Sequence, residues 1–348
     1  MFGLGNDNAA AGRPATRRSR VLIRWIVPLW LVLGLTVSLY YEVQMTAHFH
    51  PHTGMAFSGL DELGRGELWQ AWRSRVMSIY PARWVVELSS HLPALPNKLD
   101  HPLGPLARGV GLWVALWFAA TNFCFVATFG RRSLLFLFGT FAAVAFGYMP
   151  GIGIRVYPWD LPALFFFSAW ICLYHRRQLG WAVVLIPIAV AFKESAGVLC
   201  LAPLIIDGDR RDRLRLVAAG AAGAIVGKVA TDLVSANSAV GATMMYSWDL
   251  FSNNVGSLFE PLSYFINAGT FVALFLLPAN HRAVNHMRAI AGMVFAGNMV
   301  FGSITEYRIW FEAIPLALYG LDVAFRSRPE PGAVLGQERP RVSLPDTE

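Results

Sequence analysis

Four short groups of charged and polar residues stand near the ends of long apolar runs in this chain of 348 residues. A carboxylate can accept the proton of a hydroxyl group, and an arginine can hold a phosphate through two parallel hydrogen bonds. Together these side chains suit an anionic substrate that is rich in hydroxyl groups. The groups are Asp61, Glu62, Glu67, Arg73 and Arg75; Arg155, Tyr157 and Asp160; Lys193 and Glu194; and Glu306, Arg308 and Glu312.

The composition indicates that a lipid bilayer surrounds most of the chain. The sequence is 55% hydrophobic and 15% charged, whereas a soluble domain carries about 25% charged residues. The net charge of +7 comes from basic residues that flank apolar runs, which is the positive-inside pattern of membrane proteins. No basic stripe or known module is visible, so we expect no nucleic-acid partner.

Apolar runs of about 20 residues, the length that a membrane-spanning helix needs, recur along the chain. The predicted spans are 21–43, 109–129, 133–150, 159–175, 216–235, 262–278, 288–303 and 308–325. Residues 179–206 lie between two basic clusters and contain Pro187, Lys193 and Glu194. This segment predicts two short helices that meet at Lys193 and Glu194, a broken hairpin. The fold class is therefore an all-α polytopic membrane protein with about ten crossings.

The arginines give the predicted orientation. If the N-terminus is cytoplasmic, every arginine cluster falls on the cytoplasmic side, as does the C-terminus, and the four charged groups fall at the outer face. The clusters are Arg17, Arg18 and Arg20; Arg131 and Arg132; Arg176 and Arg177; Arg210, Arg211 and Arg213; and Arg326 and Arg328. We expect a basic N-terminus at 1–20, one transmembrane domain at 21–325 and a disordered cytoplasmic tail at 326–348.

The first outer connection, 44–108, is too long for a plain loop. Its stretch 68–92 mixes tryptophan, arginine and aliphatic residues, which predicts an amphipathic helix on the outer interface that Pro81 bends or divides. The same connection contains His48, His50 and His52. Alternating histidines of this kind can bind a divalent metal, although an interfacial loop is the more common role.

Each charged group also has a structural interpretation. Asp160 can complement the dipole of its helix, and Arg308 and Glu312 are spaced for an ordinary helix pair. Glu194 can form a buried salt bridge with Arg155 or Arg308. Lys193 and Glu194 are neighbours whose side chains point about 100° apart on a helix, so they need not pair with each other. None of these interpretations explains why four segments share one predicted depth.

Three stretches of the sequence resemble the GT-C class of integral membrane glycosyltransferases, in particular small bacterial members without a soluble domain. They are RVYPWDLPALFFF (155–167), AFKESAGVLCLAPL (191–204) and ITEYRIWFEAIPL (304–316). The resemblance in order and topology covers about 21–325. It implies a polyprenyl-phosphate-linked sugar donor, a glycan or glycolipid acceptor and an active face on the periplasmic side of the bacterial inner membrane.

The resemblance also assigns roles to the charged groups. Asp61 matches the outer-loop catalytic base, with Glu62 next. The expected ligands of the lipid phosphate are Arg155, Lys193 and Arg308, and the residues expected to orient those cations or contact the acceptor are Asp160, Glu194 and Glu306. Further substrate contacts are expected from Arg73, Arg75, Tyr157 and Glu312. No metal site or other cofactor is expected, although a weak dependence on a divalent metal stays open.

The activity expected from this resemblance is inverting transfer of one sugar. Two other activities stay open at the level of sequence. A polymerase or ligase of surface polysaccharide would use the same donor chemistry on a polymeric acceptor. A transporter or flippase of lipid-linked substrates would use the broken hairpin as part of a substrate pathway.

Overall fold

A computed structural model describes residues 17–46, 57, 75–91, 104–148, 156–206, 208–235, 248–258, 269, 271–278, 281–301 and 307–326. Across these ranges the chain is helical and no strand occurs, which confirms the predicted all-α class. The N-terminal residues 1–16 and the tail 327–348 lie outside the described residues.

The main helices follow the predicted apolar runs. The described α-helices are α1 (Arg17–Thr46), α2 (Val76–Ser90), α3 (Gly104–Phe129), α4 (Ser133–Gly147), α5 (Asp160–His175), α6 (Leu179–Phe192), α7 (Arg210–Ser235), α8 (Trp248–Ser257), α9 (Arg282–Phe301) and α10 (Ala313–Arg326). Three 3-10 helices accompany them: η1 (Gly130–Arg132), η2 (Glu194–Leu204) and η3 (Tyr307–Glu312).

Three segments of the described structure are long and apolar enough to cross a membrane: Trp25–Val43, Gly104–Gly147 and Arg210–Val234. That number is smaller than the predicted total of about ten crossings. Length is one reason, because α5, α6 and α10 contain only 16, 14 and 14 residues, and α3 and α4 are counted together in the single segment Gly104–Gly147. At 1.5 Å per residue such helices extend about 21–24 Å, less than the hydrocarbon core of about 30 Å.

The predicted break at Lys193 is confirmed. Helix α6 ends at Phe192, Lys193 adopts an extended backbone with φ −156° and ψ 124°, and η2 begins at Glu194. The second half of the hairpin is an 11-residue 3-10 helix, which is long for this type of helix. Both halves pack against α7. The break therefore places the Lys193 and Glu194 side chains where two helix ends meet.

Helix α5 lies at the centre of the bundle. It packs against α3, α6, η3 and α10, and its buried residues occupy every face along its length. A helix that is apolar all round has this position in a helical core. Helix α10 packs against α5 and is buried over most of its length. Polar residues lie at or next to both ends of each of these two helices.

Helix α2 packs directly on the bundle through α3. A Cβ atom at Gly109 would lie 2.5 Å from the Val86 Cα, so glycine is required for this close approach. Pro81 lies inside α2 without dividing it, so of the two predicted effects, a bend or a division, the division is wrong. The outward face is apolar, with Met77, Tyr80, Trp84 and Leu88 exposed at helical spacing, and this stripe favours contact with lipid.

Candidate functional site

Lys193 and Glu194 pair with two different partners, as their divergent directions predict. The Glu194 Oε2 atom accepts a hydrogen bond from Arg75 Nε at 3.1 Å. The Lys193 Nζ atom lies 2.7 Å from Glu312 Oε1. The salt bridge expected for Glu194 therefore forms with Arg75; the predicted partners, Arg155 and the side chain of Arg308, lie outside the described part of the structure.

The Lys193–Glu312 pair is buried. The exposed fractions of the two side chains are 8% for Lys193 and 0% for Glu312. Ser195 Oγ donates a second hydrogen bond to Glu312 Oε1 at 2.5 Å, whereas Oε2 makes no hydrogen bond to the described residues. Charges this far from water are stable only when they are paired and hydrogen-bonded.

The sequence predicts that Glu312 pairs with Arg308 on one helix, and the structure shows that it makes a longer-range contact. Residues 307–312 form the 3-10 helix η3, and spacing of four residues does not align side chains in such a helix as it does in an α-helix. The Glu312 side chain extends to Lys193 at the break in the hairpin. The side chain of Arg308 lies outside the described part of the structure.

Arg75 contacts both Glu194 and a pair of stacked aromatic rings. Its guanidinium carbon lies 4.4 Å from the centre of the Trp159 ring, and Trp159 stacks on Tyr157 with ring centres 4.8 Å apart. A cation over an indole face is attracted by the ring quadrupole. Within the described residues Arg75 makes one hydrogen bond, through Nε to Glu194. Its two Nη groups make no hydrogen bond to the described residues, and 15% of the side chain is exposed.

Asp160 stabilises the turn before α5 that contains Tyr157 and Trp159. It is the first residue of α5 and is buried. Its Oδ2 atom accepts a hydrogen bond of 3.2 Å from the backbone N–H of Tyr157, which precedes the helix. Trp113 Nε1 donates to the Pro158 carbonyl at 2.8 Å. The predicted role of Asp160 in complementing the helix dipole fits its position, and the turn bond is an additional role.

These contacts bring four distant segments into one cluster, which we call the outer cluster after the side on which the sequence predicts it. It consists of Arg75 before α2, Tyr157, Trp159 and Asp160 before and at the start of α5, Lys193, Glu194 and Ser195 at the break, and Glu312 at the end of η3. Ser78 Oγ also donates a hydrogen bond of 2.8 Å to the Phe192 carbonyl oxygen. This bond connects α2 to the end of α6.

Several predicted site residues lie outside the described residues. They are Asp61, Glu62, Arg73, Arg155 and Glu306. The metal-ligand candidates His48, His50 and His52 are outside as well. In the part of the chain that is described, no group of three or more histidine, cysteine, aspartate or glutamate side chains could hold a metal ion.

Sequence reasoning missed two members of the outer cluster, Trp159 and Ser195, and also the nearby Ser78. Trp159 stands between two predicted site residues in the stretch YPWD, and Ser195 follows Lys193 and Glu194 directly. Proximity in sequence could therefore have identified both. Ser78 has no such signal, because its contact depends on how α2 packs against α6.

Comparisons of this chain with protein-family models, curated proteins and solved structures find no match. The chemistry of the outer cluster must therefore be judged from its own groups. It combines carboxylates, two cations, a hydroxyl group and stacked aromatic rings. Tyr157 and Trp159 are buried, with exposed fractions of 4% and 1%. Arg75, which is 15% exposed, is the group of this set that can bind an anion.

Proposed function

We propose that this chain is an inverting membrane glycosyltransferase of the GT-C type. It would cross the bacterial cytoplasmic membrane about ten times, with both termini in the cytoplasm. It would transfer a sugar from a polyprenyl-phosphate donor to a glycan or glycolipid acceptor at the outer face. The observation that supports this proposal best is Arg75, which lies between Glu194 and the face of Trp159 with both Nη groups unused by the described residues.

Arg75 has the features of a phosphate ligand. Glu194 takes only Nε and holds the guanidinium in place. The two Nη groups carry four N–H donors in a planar fork. A phosphate accepts such donors in pairs, and these charge-assisted bonds are about twice as strong as neutral ones. The neighbouring Trp159 and Tyr157 rings are buried, with exposed fractions of 1% and 4%, so they would hold the guanidinium in position.

The catalytic base is proposed to come from the segment that leads into Arg75. Asp61 and Glu62 precede Arg75 in the first outer connection, so this segment ends at the outer cluster. One carboxylate would take the proton of the acceptor hydroxyl. The hydroxyl oxygen would then bond to the anomeric carbon as the bond from that carbon to the phosphate oxygen breaks, and polyprenyl phosphate would leave with the electron pair. Arg75 would stabilise the charge on the leaving phosphate.

The test is transfer by the purified protein in lipid nanodiscs, with a panel of radiolabelled polyprenyl-phosphate sugars and a lipid-linked glycan acceptor. Asp61→Asn combined with Glu62→Gln should abolish transfer. Arg75→Gln should raise the KM for the donor by about 10- to 100-fold, the equivalent of losing about 1.5–3 kcal/mol of hydrogen bonds to a charged group. Arg75→Lys should recover only part of this loss, because lysine lacks the planar fork.

The matched control is Lys228→Gln. Lys228 also forms an ion pair, with Asp232, but on an exposed face of α7. Its loss should leave the donor KM unchanged. Wild-type transfer by the Asp61→Asn, Glu62→Gln double variant would refute the base assignment. An unchanged KM in Arg75→Gln would refute the phosphate assignment.

A second candidate is a transporter or flippase of lipid-linked substrates. The observation that favours it is the broken hairpin, because Lys193 sits in extended backbone between α6 and η2. Discontinuous helices with a polar break are typical of transporter binding sites. In a transporter the Lys193–Glu312 pair would open to admit the substrate.

The two candidates are separated by following a fluorescent polyprenyl-phosphate sugar in sealed proteoliposomes. A flippase should move the intact lipid between leaflets, so that a membrane-impermeant quencher reaches it, with no change in the glycosidic bond. The glycosyltransferase should consume the donor only when an acceptor is present. Leaflet exchange at the rate of protein-free vesicles would exclude the flippase.

A further inference from the structure

A second polar cluster lies at the far ends of α5 and α10. Both helices begin at the outer cluster, and their length places their last residues about 20 Å away along the helix axes. We call this group the arginine end. It comprises Arg131 and Arg132 in η1, His175 and Arg176 at the end of α5, and Tyr319, Asp322 and Arg326 in α10.

Asp322 is a nearly buried carboxylate that forms ion pairs with two arginines. Its side chain is 9% exposed. Arg326 donates to it from Nη2, one turn away on α10, and Arg132 Nη1 lies 4.0 Å from the same oxygen. The two guanidiniums carry one more charge than this carboxylate. Their side chains are 43% and 42% exposed, so the excess positive charge faces outward.

The hydrogen-bond donors of Arg132 are not used by the described residues, although its Nη1 lies near Asp322. The guanidinium carbon of Arg132 lies 5.9 Å from the centre of the Phe129 ring. Gly130 has a φ of +58°, a conformation that glycine adopts without strain, and this residue makes the turn that precedes Arg132. Five N–H donors are thus presented beside Asp322 and Arg326.

Exposed apolar side chains stand next to this charge. Leu134 and Phe138 on α4 are 39% and 50% exposed, and Phe325 beside Arg326 is 57% exposed. Leu134 and Phe138 are four residues apart and share one face of α4. Helices α4 and α10 pack together. Cationic donors bordered by an apolar face match a ligand with a phosphate head and a hydrocarbon chain.

We propose that the arginine end is a binding site for the phosphate of an anionic phospholipid. Arg132 and Arg326 would bind the phosphate oxygens, and the acyl chains would lie along Leu134, Phe138 and Phe325. The site rests on the membrane location given under the proposed function, but it is independent of glycosyl transfer. Neutralising two outward-facing guanidiniums would stabilise the junction of α4, α5 and α10.

The test is native mass spectrometry of the full-length protein released from nanodiscs that contain equal amounts of phosphatidylglycerol and phosphatidylcholine. The wild type should retain phosphatidylglycerol in preference to phosphatidylcholine. Arg132→Gln should lower the retained phosphatidylglycerol by about tenfold, since it removes one charge and one fork of donors. Arg132→Lys should retain an intermediate amount, because the charge remains but the planar fork of donors is lost.

The matched control is Arg215→Gln, which removes an exposed arginine that pairs with Asp212 on α7. It should retain phosphatidylglycerol as the wild type does. Thermal unfolding of Arg132→Gln checks that the variant folds, and Arg326 still pairs with Asp322 in it. Equal retention of both lipids by the wild type would overturn the proposal, as would full retention by Arg132→Gln.

Two more measurements distinguish a phospholipid site from a free-anion site and from a part of the transfer machinery. Millimolar inorganic phosphate should not displace the retained lipid; displacement would overturn the lipid assignment in favour of a free anion. Arg132→Gln should keep the wild-type rate of glycosyl transfer, because the outer cluster lies at the other end of the bundle. If the wild type binds phosphatidylglycerol selectively but transfers no sugar, the proposed function fails while this site stands.

Discussion

Lys193→Met should destabilise the protein by about 3–5 kcal/mol, the usual cost of removing one partner from a buried ion pair. Glu312 would then keep only Ser195 as a hydrogen-bond partner among the described residues, with its side chain 0% exposed. An unpaired carboxylate in that position must either stay charged without solvent or take up a proton, and both raise the free energy of the folded state. The measurement is thermal unfolding in detergent, followed by tryptophan fluorescence.

The double variant Lys193→Met, Glu312→Gln should recover much of this loss. A glutamine amide is neutral and its oxygen can still accept the Ser195 hydroxyl, so no unpaired charge remains. The matched control is Lys228→Met, which breaks an exposed ion pair with Asp232 and should cost less than about 1 kcal/mol. Similar losses from Lys193→Met and Lys228→Met would mean that the Lys193–Glu312 pair does not stabilise the fold.

The break in the hairpin was predictable because its signal is local. Two basic clusters flank residues 179–206, and a lysine and a glutamate interrupt the apolar run near its middle. Both facts argue against one continuous span. The structure places the break at Lys193. The partners of its charges were not predictable, since Arg75 and Glu312 are each more than 110 residues away along the chain and spacing carries no information on such contacts.

The crossing number was harder to predict for a different reason. Hydropathy finds apolar runs, but it does not show where a helix begins or ends. The run predicted as 133–150 yields a helix of 15 residues, Ser133–Gly147. The predicted outer-surface helix in 68–92 likewise begins only at Val76 and packs on α3. Tertiary packing and turns decide these boundaries, and neither leaves a periodic signal in the sequence.

A row of glycines on α7 was also overlooked, although its spacing is visible in the sequence. Gly220, Gly223 and Gly227 lie three and four residues apart, so they share one face of the helix. That face packs on α6 and η2, where Cβ atoms at these glycines would meet Ile186, Cys200 and Pro187. Small residues at this spacing are typical of closely packed membrane helices. These three glycines allow α7 to pack closely against both halves of the broken hairpin.

Gly227→Ala should therefore separate α6 from α7. The added Cβ would lie 2.3 Å from the Pro187 carbonyl oxygen and 3.0 Å from its carbonyl carbon. Both are backbone atoms inside a helix, so no side-chain rotation relieves the clash, and the helices must move apart. Overpacking of this kind costs about 1–3 kcal/mol. Thermal unfolding should show the loss, and transfer should weaken with it because α6 ends at Lys193.

The control is Gly292→Ala on α9, where an added Cβ meets nothing within 4 Å. Alanine is about 1 kcal/mol better than glycine inside a helix, so this variant should be as stable as the wild type or more stable. The same gain in helix propensity applies to Gly227→Ala, and only the contact with Pro187 distinguishes the two sites. If both variants unfold at the same temperature, α6 and α7 do not approach each other at Gly227. If Gly227→Ala alone is destabilised, the close contact that positions the break at Lys193 is real.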